Sequence, residues 1–308
     1  MKIPNICVAL PTYNRGEILI DTIKDVLAQS YKNLELVVID QSVNRSDELI
    51  SELSKINDPR FRYFLADPPS LPAARNFALK VSRAPIVLFL DDDVKLKKNM
   101  VAEHLNAFKQ HPEVSAVGGR VMQKDFPILP DVLKFDDFAI PHGVFTATKA
   151  SYTNTFPGGN HSIKVKDALS VGGYDTRFYY NAFREESDMS LKMVRKGMTI
   201  YYEPKAELLH LAAHSGGTRA HKTYSHIFDS SIFYRNELFF TIRNAKHVLR
   251  ALFYKYNEYC RVPSRRQSLK RSYYFVVGLF VALWRSKFDK QIVTTERVSW
   301  KLVSIYAH

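Results

Sequence analysis

The chain has 308 residues, 46% hydrophobic and 24% charged, a composition that excludes a disordered or low-complexity protein and leaves ample chain for a core. Its only cysteines, Cys7 and Cys260, are far apart in the sequence and form no metal-ligand spacing, which excludes a disulfide framework and a zinc ribbon. The net charge of +13 is uneven: residues 241–308 hold 14 Lys/Arg against 3 Asp/Glu, leaving +2 for residues 1–240, so the C-terminal part is the one expected to seek an anionic partner.

In chain order, short β-branched runs alternate with amphipathic stretches. Ile6–Leu10, Leu34–Asp40, Phe61–Leu65, Ile86–Leu90 and Val114–Val117 are predicted strands. Glu17–Gln29, Asp47–Lys55, Ala73–Val81 and Met100–Gln110 are predicted helices. Such alternation predicts a parallel sheet covered on both faces, with ligands bound outside the carboxyl ends of its strands. Residues 124–157 are irregular and rich in prolines and aromatics, and read as an insertion or acceptor-side loop region. Beyond it, Glu185–Lys196 is a predicted helix closed by Gly197, and Thr199–Glu203 a strand ended by Pro204. From about 225 the chain is aromatic, basic and predicted helical. Within it Tyr273–Trp284 is twelve residues without a charge, about 18 Å as a helix, too short to cross a hydrocarbon core of about 30 Å. Flanking Arg271 and Arg285 suit an interfacial segment near lipid phosphates, and a helical cap on the catalytic part is the competing expectation. No secretory leader is evident at the N-terminus, and a cytoplasmic location, at most peripheral at the plasma membrane, is expected.

Four groups of residues carry candidate chemistry. The first is Asp91, Asp92 and Asp93, directly after the apolar run Ile86–Leu90. Adjacent carboxylates repel, and a hard divalent ion, Mg²⁺ or Mn²⁺, would satisfy them while leaving positions for phosphate oxygens; a solvated acidic turn is the plainer alternative. The second is Glu185, Glu186 and Asp188 in the first turn of a predicted helix, where carboxylates either complement the helix dipole or supply a general base. The third is Gly158-Gly159-Asn160 with Gly172-Gly173, whose glycines permit close approach of backbone to a ligand or simply turn the chain. The fourth is His210, with His214 four residues on, able to complete a metal shell or to be structural. No Gly-x-Gly-x-x-Gly follows the first strand and no phosphate-loop lysine motif occurs, which counts against a dinucleotide-binding fold and a P-loop NTPase.

Taken together, Pro11-Thr-Tyr-Asn-Arg15, Val38-Ile-Asp40, Ala74-Arg-Asn76, Phe89-Leu-Asp-Asp-Asp93, Gly158-Gly-Asn160, Gly172-Gly-Tyr-Asp175, Glu185-Glu-Ser-Asp188 and Tyr202-Glu-Pro204 before His210 occur in an order that resembles the family 2 glycosyltransferases, over roughly residues 3–215. The resemblance implies an α/β GT-A fold, a Rossmann-like, mostly parallel central sheet flanked by helices, here with a basic helical extension. It divides the chain into a catalytic domain over 1–224, whose nucleotide-sugar half is about 1–120 and acceptor half about 121–224, and a tail over 225–308. It implies an inverting, metal-dependent transfer from a nucleotide-diphospho-sugar (UDP-, dTDP- or GDP-linked) to a hydroxyl of a glycan or polyprenyl-linked acceptor, of the kind used to build bacterial surface polysaccharides. By the same resemblance Pro11, Thr12, Tyr13, Arg15 and Asp40 hold base and ribose, and Arg75 lies near the nucleotide. Asp91 faces the ribose and Asp93 the metal, Asp92 takes either role, and the metal is held by Asp93 with Asp91 and His210, the last resembling a further metal-side ligand. Gly158, Gly159, Asn160 and Asp188 belong to the acceptor side. Where the family usually has Glu-Asp this chain has Glu185-Glu186, so the base is Glu186 or Glu185, with Glu186 preferred. The alternatives are a sugar nucleotidyltransferase, which would open on a glycine-rich nucleotide loop absent here, and a non-catalytic scaffold, which would not need the carboxylates. The apolar run in the tail argues for lipid over nucleic acid as its partner.

Overall fold

The computed structural model describes residues 3–213, 216–217, 228–288 and 299–303. The first half is β1 (Ile6–Thr12), α1 (Glu17–Leu27), β2 (Leu34–Asp40), α2 (Asp47–Ser54), β3 (Phe61–Asp67), α3 (Leu71–Val81), β4 (Ile86–Leu90), β5 (Val94–Leu96), α4 (Met100–Gln110) and β6 (Val114–Met122). Then follow β7 (Lys134–Phe135), β8 (Pro141–His142), β9 (Ser151–Thr153), β10 (Asn160–Lys164), α5 (Val165–Ser170), α6 (Glu185–Arg195) and β11 (Thr199–His210). The C-terminal part is α7 (Ser231–Asn244), α8 (Val248–Cys260), α9 (Arg265–Phe288) and β12 (Ser299–Val303).

Every predicted strand and helix of the first 120 residues is present. The main sheet runs β12-β3-β2-β1-β4-β10-β6-β11-β5. β3, β2, β1 and β4 are parallel, as are β6 and β11, while β10 lies antiparallel between β4 and β6. β1 and β2 are buried at every position, which is why they read as continuous apolar runs rather than as alternating ones. One core layer, including Phe77, Phe89, Tyr174 and Met189, lies on one face of the sheet; another, including Leu19, Ile23, Leu49 and Val101, lies on the other.

Two expectations about the second half are corrected. Pro204 does not end the strand at Glu203: β11 continues to His210 across a register shift between Glu203 and Glu207. Proline is tolerated there because a bulge asks for no ladder donor. β10 was not predicted either. Asn160, His161 and Ser162 are polar yet fully buried in the middle of the sheet, because their side chains bond one another's neighbours instead of water. The His104 Nε2 lies 2.8 Å from Asn160 Oδ1, Ser162 Oγ lies 2.8 Å from His104 Nδ1, and His161 Nε2 lies 2.6 Å from the Tyr174 hydroxyl. Both cysteines are free and buried.

Burial pushes the His104 imidazole down to about 4 from 6.5. A histidine depressed in the folded state is neutral there but protonates in the unfolded chain, so its contribution is complete above about pH 6.5 and is lost as pH falls toward 4. The span corresponds to about 3 kcal/mol. Urea unfolding should therefore show stability falling already between pH 6.5 and 4, and His104→Gln should make that segment shallower, with His161, also depressed by burial, supplying the remaining slope; an unchanged slope in the variant would refute the assignment.

The helical tail shares a core with the rest of the chain. Phe135, Phe178, Phe239, Phe240 and Phe275 belong to one buried cluster, drawing on the irregular region, the segment before α6, α7 and α9. Beneath it lies a buried ionic group: the Arg184 Nε donates to Glu237 Oε2 at 2.8 Å, and Lys255 Nζ pairs with Glu237 Oε1. β12 pairs antiparallel with the outer edge of β3, covering an otherwise open row of backbone groups.

Candidate active site

The carboxyl ends of β1, β2 and β4 converge, and the three aspartates follow β4. The triplet spans the bend between β4 and β5, and its side chains divide between two sets of partners. Asp92 turns inward. Its Oδ2 accepts from the Thr12 hydroxyl at 2.6 Å and its Oδ1 from Arg15 Nε at 2.9 Å. Burial raises Asp92 to about 6, against the opposing pull of Arg15 and Thr12. Arg15 also reaches Asp93, Nη2 to Oδ2 at 3.1 Å. No local pattern marks Arg15 as the internal counter-cation of this cluster; the fold brings the loop after β1 across it.

Asp91 and Asp93 face the other way, toward His210. The β5–β11 ladder sets His210 opposite Val94, and the Leu211 amide donates to the Asp93 carbonyl at 2.9 Å. His210 Nε2 lies 3.3 Å from Asp93 Oδ1 and 3.6 Å from Asp91 Oδ2, while its Nδ1 lies 3.2 Å from Gln123 Oε1. Gln123 is a residue the motif reading missed: it orients the imidazole from behind. Asp93 Oδ2 accepts from the Ala213 amide at 2.8 Å. Burial would raise Asp93, but His210, Arg15 and that amide hold it below the ordinary carboxylate range. Its other oxygen, Oδ1, is buried and accepts no hydrogen bond. One ligand atom each from Asp91, Asp93 and His210 lies within 4.8 Å of the others. An orphaned buried carboxylate oxygen beside a second carboxylate and an imidazole fits a divalent cation by chemistry and by geometry. His214 lies outside the described residues.

Gly158 and Gly159 link this group to α6. A Cβ on Gly159 would fall 2.2 Å from Asp91 Oδ2, and one on Gly158 would fall 3.5 Å from Glu186 Cγ. A side chain at 159 would displace the Asp91 carboxylate from this position. The two candidate acids of α6 diverge. Glu185 is 1% exposed and ion-paired with buried Arg75; Arg75 also donates to the Gly158 carbonyl at 2.9 Å and lies over the Phe89 and Tyr174 rings. Glu186 is partly exposed and accepts from the neighbouring Ser187 hydroxyl at 3.0 Å. A cavity of about 270 Å³ opens beside the loop, lined by Asp91, His210, Gln123, Gly158, Gly159 and Phe145 among others. Phe145 and its neighbours come from the irregular region.

Other expected site residues lie off this crevice. Asp40 is fully buried: it accepts from the Ser42 amide at 2.7 Å and from Arg45 Nε at 2.7 Å, and the Tyr63 hydroxyl bonds it too. It builds the turn after β2, and Ser42 Oγ in turn accepts from the Asn14 amide of the first loop at 2.7 Å. Pro11 ends in β1, and the Tyr13 carbonyl accepts from the Gly217 amide at 2.8 Å. Asn160 is fully buried, its amide donating to the Arg120 and Ala206 carbonyls at 3.0 and 2.8 Å. Asp188 points into the tail, accepting from Arg243 Nε at 3.0 Å and Asn244 Nδ2 at 2.9 Å. Asn76 ties two sequence blocks together, bonding both backbone groups of Tyr174 at 2.7 and 2.9 Å.

This architecture, a mostly parallel central sheet flanked by helices, is the GT-A fold. Residues 7–133 match the model of Glycosyl transferase family 2. The poly-beta-1,6-N-acetyl-D-glucosamine synthase of Staphylococcus aureus (strain COL) is 27% identical over 208 residues, 67% of this chain and 49% of that protein. The chain thus spans about half the length of the curated relatives it matches. Among solved structures, GalNAc-T7 with UDP, GalNAc and Mn²⁺ superposes with a TM-score of 0.65 at 15% identity, covering 92% of this chain and 57% of that one. The mannosyltransferase PcManGT from Pyrobaculum calidifontis, in complex with GDP-Man and Mn²⁺, gives 0.58 at 17% identity, covering 94% and 89%. The match to the family model is confined to residues 7–133, and the chain as a whole carries the GT-A fold.

Proposed function

We propose that this chain is an inverting glycosyltransferase that moves a sugar from a nucleotide-diphospho-sugar to a hydroxyl of a glycan or polyprenyl-linked glycan, in the synthesis of a bacterial surface polysaccharide. The observation that carries the reading is the Gly158–Gly159 link, with Glu186 against one glycine and Asp91 against the next. It sets a partly exposed carboxylate and a cation-fitting cluster around one short backbone segment.

In this reading the nucleotide lies over Pro11, Thr12, Tyr13 and Arg15, with Asp40 acting through the turn it holds. The diphosphate lies at Asp91, Asp93 and His210, where a bound Mn²⁺ or Mg²⁺ would neutralise charge developing on the leaving group. Glu186 accepts the proton of the acceptor hydroxyl. The oxygen attacks the anomeric carbon from the face opposite the diphosphate; one C–O bond forms, the bond to phosphate breaks, and the sugar inverts. Glu185 and Arg75 keep α6 against the glycine loop. Asn160 and Asp188 support the acceptor side from within the core. The apolar wall contributed by Phe145 narrows the cavity next to Asp91, as an acceptor or sugar subsite requires.

The test is thermal unfolding with UDP, dTDP and GDP, each with and without Mn²⁺, on the wild type and on Asp93→Ala. A ligand at a hundred times its Kd contributes about 2.7 kcal/mol. One nucleotide should raise the melting temperature only when Mn²⁺ is present, and Asp93→Ala should abolish the rise. If none shifts the cooperative melt, the donor site is wrongly assigned. Release of pyrophosphate from a nucleoside triphosphate and a sugar phosphate would favour a nucleotidyltransferase instead.

A further inference from the structure

Helix α9 is apolar on two opposite faces. Phe275, Gly278 and Ala282 are buried in the tail's core, together with Arg285, and a Cβ on Gly278 would fall 2.8 Å from Tyr234 Cβ of α7. That face is accounted for. On the other side Leu269, Tyr273, Val276, Phe280, Leu283 and Trp284 are 65, 65, 64, 73, 52 and 51% exposed. Their spacing of three and four places them on one stripe, about 22 Å long. A helix apolar on a second face asks for a second apolar environment. No helix among the described residues is long and apolar enough to cross a membrane.

The charges of the helix identify the occupant. α9 carries six Lys/Arg and no Asp/Glu. Arg265, Arg266 and Lys270 at its start and Lys287 near its end are exposed. A second copy docking through the same face would bring like charges together and offer no acid from this helix to meet them. A surface of anionic lipid meets both demands, with phosphates for the ends and acyl chains for the stripe. Tyrosine and tryptophan in the stripe are the side chains that favour the headgroup boundary. We infer that α9 lies in the plane of an anionic bilayer, inserting the Leu269–Trp284 stripe at the headgroup boundary with its basic ends on lipid phosphates. This surface is independent of the transfer chemistry proposed above.

The experiment uses the full chain and vesicles of phosphatidylcholine, alone or mixed with phosphatidylglycerol. Co-sedimentation should show binding to the mixed vesicles that is at least about tenfold weaker to phosphatidylcholine alone. Trp284 emission should shift to the blue on binding, and Trp284→Phe should lose that shift while still binding. The double variant Phe280→Ser/Trp284→Ser changes only exposed positions, so it should melt like the wild type and bind at least about tenfold less. Absence of vesicle binding at low salt overturns the inference. So does equal binding by the double variant, which would move the contact elsewhere. A concentration-dependent dimer that ignores vesicles and disappears in the double variant would also overturn it, and would assign the stripe to a second copy.

Discussion

Glu186→Gln is expected to lower turnover by about 10²–10⁴-fold with little change in folding, because a neutral amide cannot take the acceptor's proton. Glu186 is partly exposed beside Gly158 and engages only its neighbour Ser187 in hydrogen bonding among the contacts described. Nucleotide-dependent thermal stabilisation should survive, since the variant leaves Asp91, Asp93 and His210 in place. Glu185→Gln should behave differently. It removes the ion-pair partner of Arg75 where both side chains are buried, and breaking a buried pair costs about 3–5 kcal/mol. The Phe89 and Tyr174 rings beside the Arg75 guanidinium recover only part of that. Melting curves and steady-state kinetics on both variants separate the two roles. A Glu185→Gln protein that melts like the wild type but is inactive, beside an active Glu186→Gln, would reverse the assignment.

Glu237→Gln is expected to be the most destabilising single change in the tail. It leaves the buried Lys255 and the partly buried Arg184 without their shared carboxylate, a loss of about 3–5 kcal/mol. Burial alone would raise Glu237, but Arg184 and Lys255 hold it down at about 2, from 4.5. A carboxylate depressed in the folded state contributes its stability above its unfolded value, and the contribution fades as pH falls from about 4.5 toward 2. Urea unfolding at neutral pH should therefore show a large deficit in the variant, and the deficit should shrink on acidification toward pH 2. A deficit independent of pH would mean that packing, not charge, is what the substitution disturbs. Arg184 is also the left-handed residue, φ 74°, that opens α6. The glutamates stand directly after it, so the variant should lose activity as well as stability.

Half of the protein follows from local pattern alone. Continuous apolar runs set β1, β2 and β4 as doubly buried strands, and 3.6-residue periodicity set the helices between them, because both signals are carried by side chains close in the chain. The Asp91–Asp93 triplet, Glu185–Glu186, Gly158–Gly159 and His210 were visible as residue types suited to the chemistry, and their order was visible as a family resemblance. Long-range packing sets the surroundings of each. It turned Asp92 inward onto Thr12 and Arg15 while Asp91 and Asp93 met His210. It buried Glu185 on Arg75, which stands 110 residues away, and left Glu186 facing the glycine loop. It placed polar β10 in the middle of the sheet and carried β11 past Pro204. It also joined the tail to α6 through Glu237 and Arg243. Each of these depends on partners distant in the chain: a buried charge or amide is stable only beside its counterpart, and no window of neighbouring residues contains that counterpart.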